Sequence, residues 1–369
     1  MLDNKIREKL NDLEKNVEDL KSHVDTDVWK EEVSRLEQKM QDPNFWDNPK
    51  KAARISRRVK LLKDRIESFN SIIGDFDSAV ELSEMADESM QNEMEEMIDS
   101  IAEKADELQT ELLLTDEMDE NDAIFDIHPG AGGTESCDWA EILLRMYIRY
   151  FQNKGFKYTV MDREDGDVAG IKNVTINVSG EYAYGYLKAE IGVHRLVRVS
   201  PFDSNNRRHT SFASVYVYPD IDKDSDFEID ENELRIDTFR SSGPGGQSVN
   251  KISSAIRITH EPSGIVAQSQ TERSQHQNKE NAMKILKAKV YEHYRRIEEE
   301  KLNKKLADKK SIEWGNQIRS YVLYPYKMVK DLRTKYETGD VDSVLDGKLD
   351  RFIKEYLMMK AKDSGGSSD

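Results

Sequence analysis

Leu2, Ile6, Leu10, Leu13, Val17, Leu20 and Val24 recur in steps of four and three, the spacing that lines up one face of an α-helix. The pattern breaks at Asp42-Pro43-Asn44. A basic helical stretch follows over residues 50–67, and a strongly acidic helix over about residues 77–114. Packing within a helical bundle accounts for such stripes, so they call for no ligand.

After Asp122 the period changes. AIFDIHPG alternates like a strand, GAGGTE is a tight turn, and SCDWAEILLRMYIRYFQNKG is an amphipathic helix that Gly155 ends. FKYTVMDRED, NVTINVSG and SFASVYVYP are rich in β-branched and aromatic residues and predict strands. A second α/β unit begins near Phe227. ELRIDTFRS and SAIRITHEPSGIVAQSQ predict strands, Pro262-Ser263-Gly264 a hairpin turn, and residues 278–310 a long basic helix. IRSYVLYPYKMVKDLRT is mixed, VDSVLDGKLDRFIKEYLMMK predicts one closing helix, and AKDSGGSSD a disordered tail. The fold class is therefore multidomain α+β, with no internal repeat.

Composition narrows the classes. A 37% hydrophobic and 34% charged chain of 369 residues suits several soluble domains. No apolar run approaches the length of a membrane span, and MLDNKIREKLNDLEKN is neither a signal nor a transit peptide. The single Cys137 precludes an internal disulfide and suits the cytoplasm. A net charge of −17 argues against nucleic acid only until its distribution is considered. Residues 240–310 hold 15 Lys and Arg against 8 Asp and Glu, whereas residues 81–122 contain one basic residue, Lys104. Part of the surface can therefore meet a polyanion.

DIDKDSDFEIDE, residues 220–231, spaces its acids like a calcium loop, but Ser225 stands where the sharp turn needs glycine and a strand precedes it. An acidic linker is the better reading. GAGGTE and SGPGGQ lack the Lys-Ser/Thr of a P-loop and fit no dinucleotide fingerprint. The seven histidines show no metal-ligand spacing, so neither metal nor cofactor is expected. Glu135 and Asp138 are unremarkable at a helix start, where carboxylates suit the dipole.

VHRLVRVSPFDSNNRRHTSF is richer. Arg195, Arg198, Arg207 and Arg208 stand among Phe202, His209 and Phe212, with hydroxyls at Ser200, Ser204 and Thr210. Single-stranded RNA is held by cations near phosphates, flat groups on bases and hydroxyls at base edges. The alternative is a polar strand–loop–strand whose arginines pair with this chain's own acids. Composition leaves both open.

RSSGPGGQSVNK, residues 240–251, crowds Gly243, Gly245 and Gly246 around Pro244 and presents Gln247, with no acid, base or thiol in the loop. GGQ in this context, SPF in VHRLVRVSPFDSNNRRHTSF and GAGGTE at a helix start together resemble the bacterial class I peptide chain release factors. The resemblance covers essentially the whole chain and favours the branch that accepts UAA and UGA.

The resemblance implies a helical bundle over residues 1–115, a codon-recognition domain over 116–226 joined by about 311–340, and a GGQ domain over 227–310. The C-terminal segment over 341–369 would return to the central and N-terminal domains. Its expected partners are the ribosome at its decoding and peptidyl-transferase centres, the mRNA stop codon and the P-site peptidyl-tRNA. A glutamine methyltransferase and a class II release-factor GTPase are further expected partners. The activity would be ribosome-dependent rather than that of a stand-alone enzyme.

By the same resemblance, Gly132 through Glu135 select the first uridine, His209 stacks on a base and Thr210 bonds the third. Pro201 and Phe202 shape the loop, and Arg207 belongs to the codon-recognition set. Ser200 suits a second base that is A or G, because a hydroxyl can rotate to accept from an amino group or donate to a carbonyl. Gly245 and Gly246 would bring the backbone close to RNA, the Gln247 N–H would stabilise the developing oxyanion, and Gln247 would be N5-methylated. The two domains would swing apart at hinges near residues 220–231 and 311–315.

Pro244 is a departure: release factors commonly have alanine there, and SGPGGQ resembles some codon-independent rescue hydrolases of stalled ribosomes. Those lack an SPF domain and carry a basic tail, whereas this chain ends KDSGGSSD. A noncatalytic RNA-binding or coiled-coil scaffold is the third alternative.

Overall fold

The computed structural model describes residues 3–47, 49–85, 90–116, 118–220, 229–239, 254–272, 274–306 and 317–365. Contacts divide the chain into two units, Met1–Leu113 and Leu114–Asp369.

In the first unit the opening stripe continues into two helices, α1 (Asn4–His23) and α2 (Thr26–Met40). Asp25 separates them because its carboxylate accepts from the N–H groups of Asp27 and Val28 and so caps α2. Proline at a first helical position then opens α3 (Pro49–Met85). This helix runs straight through residue 77, where the change from basic to acidic sequence predicts a new start. Charge on the solvent face does not interrupt the apolar period, and Ile72, Phe76 and Ala79 stay buried across the boundary. The acidic helix proper is α4 (Gln91–Leu112). Val59 and Leu62 of α3 pack on Val33 and Leu36 of α2, while Ile72, Phe76 and Ala79 pack with α1 and α4.

The second unit begins with β1 (Ala123–Pro129), α5 (Thr134–Asn153), β2 (Lys157–Asp165), β3 (Ile171–Ser179), α6 (Ala183–Leu187), β4 (Gly192–Val199) and β5 (Arg208–Pro219). Then come β6 (Leu234–Phe239), β7 (Ala255–His260), β8 (Ile265–Ser269) and α7 (Gln275–Leu306). The chain returns as β9 (Gln317–Val322), β10 (Met328–Asp331), β11 (Glu337–Thr338), α8 (Val341–Leu345) and α9 (Asp350–Gly365). Where one closing helix is predicted there are two. Gly347 separates them at φ 95°, and a Cβ there would come within 2.6 Å of the Tyr150 nitrogen. Residues 361–365, predicted as tail, continue α9.

Among the described residues, eight strands form one sheet in the order β11-β10-β9-β4-β5-β1-β3-β2. Every pairing in it is antiparallel except β4 with β9. α5 covers one face, burying Trp139, Leu143, Met146, Tyr147, Tyr150 and Phe151 against strand residues such as Phe125. Beneath β4 and β9 lies a polar core. Arg319 bonds both Glu190 oxygens at 2.7 Å, and Tyr147 donates to Glu190 at 2.8 Å. The Phe352 ring lies 4.3 Å from the guanidinium. Burial pushes the neighbouring His194 down to about 4, so it stays neutral at pH 7.

β6, β7 and β8 form a second, antiparallel sheet packed on α7. Its core, Ile256, Ile258, Ala267, Ala282, Ile285 and Leu286, is continuous with Ile124 of β1 and Met161 of β2.

Candidate nucleic-acid interface

One end of the large sheet gathers the residues that the sequence singles out for RNA. β1 leads through GAGG into α5, where Gly130 N–H donates to Phe212 O at 2.7 Å and ties the turn to β5. Gly132 and Gly133 take φ 155° and 59°, backbone that side chains disfavour, and a Cβ on Gly132 would also press on Ser136 Oγ. The first N–H groups of α5 have no intrahelical acceptor, and Glu135 stands among them.

β4 and β5 pair antiparallel, with Arg198 opposite His209 and Val199 opposite Arg208, so the segment from Ser200 to Arg207 is the turn between them. Ser200 is 2% exposed. Its Oγ accepts from the N–H groups of Phe202 and Asp203, both at 3.0 Å, and donates to Glu135 Oε1. It is therefore no free rotor in this state: its proton is committed to a carboxylate, and reading a base through Ser200 requires that bond to be exchanged.

Arg198 donates to Asp138 Oδ2 and, at 3.3 Å, to Glu135 Oε2. Glu135 and Asp138 stand three apart on α5 and so face the same way. That spacing is the signal that links them to Arg198, which sequence reasoning passed over as dipole complementarity. Asp203 was missed as well. Its carboxylate accepts from Arg207 Nε at 2.6 Å and faces His209 Nε2 at 2.9 Å. Arg207 first, then His209, hold it well below the usual carboxylate range.

The loop is thus braced from within, while Pro201, Phe202 and Thr210 are exposed. Arg198 and Arg207 do pair with the chain's own acids, as the bland alternative expects. Arg208 forms no ion pair with any described residue and is exposed. Trp139 Nε1 donates to the His194 carbonyl at 2.9 Å and fixes α5 to β4, so the helix tip and the SPF turn share one rigid support.

Gly245, Gly246 and Gln247 lie outside the described residues, as do Pro244 and most of both expected hinges and of the acidic 220–231 stretch. The stems of the GGQ segment are described. Phe239 of β6 pairs with Ala255 of β7, so the segment connects two neighbouring antiparallel strands. The buried Asn278 side chain donates to the Ser254 and Glu272 carbonyls at 2.8 Å and accepts from Glu272 N–H at 3.0 Å. A fully satisfied buried amide is a strong local clamp. His276 is exposed beside Glu280, a surface contact.

The GGQ-bearing sheet is fastened to the large one. Ser269 and Thr271 hydroxyls donate to the Met161 carbonyl at 2.9 and 3.0 Å. Lys284 reaches Asp220 and Lys289 reaches Asp126, each at 2.6 Å. Burial would raise the Asp126 carboxyl, but Lys289 and His128 outweigh it and hold it at about 2. Among the described residues no His, Cys, Asp and Glu group has the makings of a metal site, and no helix is long and apolar enough to cross a membrane.

Two family models match the chain, the PCRF domain over residues 29–215 and the RF-1 domain over residues 222–333. Peptide chain release factor 2 of Petrotoga mobilis is 51% identical over 98% of this chain and 100% of its own. Peptide chain release factor 2 of Thermotoga maritima is 48% identical over 99% of each. Among solved structures, RF2 of Thermus thermophilus is similar with a TM-score of 0.69 and 45% identity, covering 89% of this chain and 94% of that one.

Proposed function

The chain belongs to the peptide chain release factor family, and on that premise we propose that it ends translation at UAA and UGA codons by promoting hydrolysis of peptidyl-tRNA. Its partners on this reading are the ribosome, the stop codon and the P-site tRNA, and its compartment is the cytoplasm. The observation that carries the reading is one sheet end where the GAGG helix tip and the SPF turn are joined through Glu135, Ser200 and Arg198, in a chain that also holds GGQ.

Decoding starts from a preset loop. The α5 tip offers backbone donors and acceptors to the first uridine. The second purine meets Ser200, whose hydroxyl can leave Glu135 and either donate to guanine O6 or accept from adenine N6. His209 stacks and Thr210 bonds the third base, while Arg207, held by Asp203, sets the turn rather than reading the codon.

Hydrolysis needs close approach and charge stabilisation more than a protein nucleophile, because the ester sits in RNA. Gly245 and Gly246 allow the approach, the Gln247 N–H faces the developing oxyanion, and its side chain confines the water. Gln247 is the methylation site we assign to a glutamine methyltransferase, and a class II release-factor GTPase is the partner for recycling.

Codon-independent rescue is the second reading, and Pro244 is the residue that favours it. Peptide release from ribosomes programmed with UAA, UGA, UAG or no stop codon separates the two. Release on UAA and UGA alone is expected; release without a stop codon would sink the termination reading. Normal release by Gln247→Ala and Gly246→Ala would remove the hydrolysis assignment.

A further inference from the structure

Ser269 closes β8 and is fully buried, with its Oγ donating to the Met161 carbonyl at 2.9 Å and to Asn278 Oδ1 at 3.2 Å. A hydroxyl has one proton, so the two acceptors share it. The first acceptor belongs to the large sheet. The pairing of β2 with β3 shifts register between Val160 and Asp162, which makes Met161 the extra residue of a bulge and leaves its carbonyl to the small sheet. Thr271 Oγ1 donates to the same oxygen at 3.0 Å, so that carbonyl keeps a donor without Ser269.

The second acceptor leads to GGQ. Asn278 spends both amide hydrogens on carbonyls, those of Ser254 and Glu272, each at 2.8 Å. Its oxygen takes one backbone N–H, from Glu272 at 3.0 Å, and an amide oxygen has a lone pair for a second donor. Ser269 is that donor. Ser254 is where the GGQ-bearing segment enters β7, immediately before Ala255, which pairs with Phe239. The Asn278 amide therefore fixes this stem, and the Ser269 hydroxyl braces the amide.

We propose that Ser269 is a positioning residue for peptidyl-tRNA hydrolysis, acting through Asn278 on the Ser254 stem rather than through its contact with Met161. The proposal rests on the hydrolysis reading above. Hydrolysis is sensitive to such support, because a misplacement of about 1 Å at reacting groups costs on the order of 100-fold in rate. One neutral hydrogen bond lost from the brace costs less, about fivefold. Ser269→Ala leaves Met161 its bond from Thr271 and Asn278 its bond from Glu272 N–H, so no buried group is orphaned and the variant folds.

The test is the single-turnover rate of peptide release at UAA, measured across protein concentrations. Ser269→Ala is expected to lower the rate at saturating protein about fivefold and to leave the half-maximal concentration unchanged. Thr271→Ala takes a hydroxyl from the same Met161 oxygen and is expected to keep the saturating rate. In an Asn278→Ala background, Ser269→Ala should lower the rate no further, because its path to the stem is already cut. Equal losses from Ser269→Ala and Thr271→Ala would make docking on Met161 the whole role and overturn the proposal. So would no loss from Ser269→Ala, or an undiminished loss on top of Asn278→Ala. Failure of the unchanged protein to release peptide at UAA, or normal release by Gln247→Ala, would instead strike the hydrolysis reading itself.

Discussion

Asp162→Asn should make the protein more stable at neutral pH, and the gain should vanish in acid. Asp162 lies on β2 and is fully buried, with Asn173 donating to Oδ2 at 2.9 Å. Burial lifts its carboxyl from 3.8 to about 6, against hydrogen bonds from Gln268 and Asn173 that lower it; Asp126 and Glu164 repel its charge and add to the rise. The native state therefore holds a proton that the unfolded chain has lost between about pH 4 and pH 6, so stability falls as pH rises through that window. Two pKa units at 1.36 kcal/mol each set an upper bound of about 3 kcal/mol on the cost at pH 7.5. Asparagine keeps an acceptor for Asn173 and carries no charge. Urea unfolding of both proteins at pH 4 and pH 7.5 should give a variant more stable by about 2–3 kcal/mol at the higher pH and equal at the lower. In a thermal scan each kcal/mol moves Tm by about 2–4 °C in a unit of this size. A variant no more stable at pH 7.5, or equally stabilised at both, would refute the argument that an ionised Asp162 is the cost.

Three further outcomes follow from the geometry. Lys289→Met leaves the buried Asp126 with His128 alone beside it and should cost about 3 kcal/mol in urea unfolding, whereas the double variant with Asp126→Asn should recover most of it. Asn278→Asp turns a carboxylate oxygen toward the Ser254 and Glu272 carbonyls, so release at saturating protein should drop at least tenfold while half-maximal concentration changes little. Glu135→Gln weakens the tie to Arg198 and should do the reverse, raising the half-maximal concentration on UAA and UGA by about tenfold with the maximal rate kept.

Much of this fold is legible in local periodicity. The helices of the first unit, the strands around SPF and the hairpin of β7 and β8 follow from period and turn chemistry alone. The boundary at residue 77 misleads because charge is a property of the solvent face, while α3 is held by Ile72, Phe76 and Ala79 on the other. The break at Asp25 is written in a capping carboxylate inside an otherwise continuous stripe. What no local pattern carries is pairing at long range. Glu190 with Arg319, Glu135 with Ser200 and Ser254 with Asn278 are contacts between distant segments, and each residue alone reads as an ordinary polar position. The site motifs were legible as text, but Asp203, Asp138 and Asn278 become meaningful only when the fold brings their partners.

The parallel seam between β4 and β9 has a consequence for how the protein is made. β4 is complete by residue 199, yet the strand that covers its edge begins at residue 317. During synthesis the ribosome must therefore extrude the whole of β5 to α7 before β4 gains its second neighbour, and until then β4 presents unpaired N–H and C=O groups at an open margin. A nascent chain cut short before β9 would carry the SPF turn on an unfinished support, prone to pair with another such chain. Competence at the codon thus arrives late in the chain's own synthesis, only once residues 317–322 have emerged.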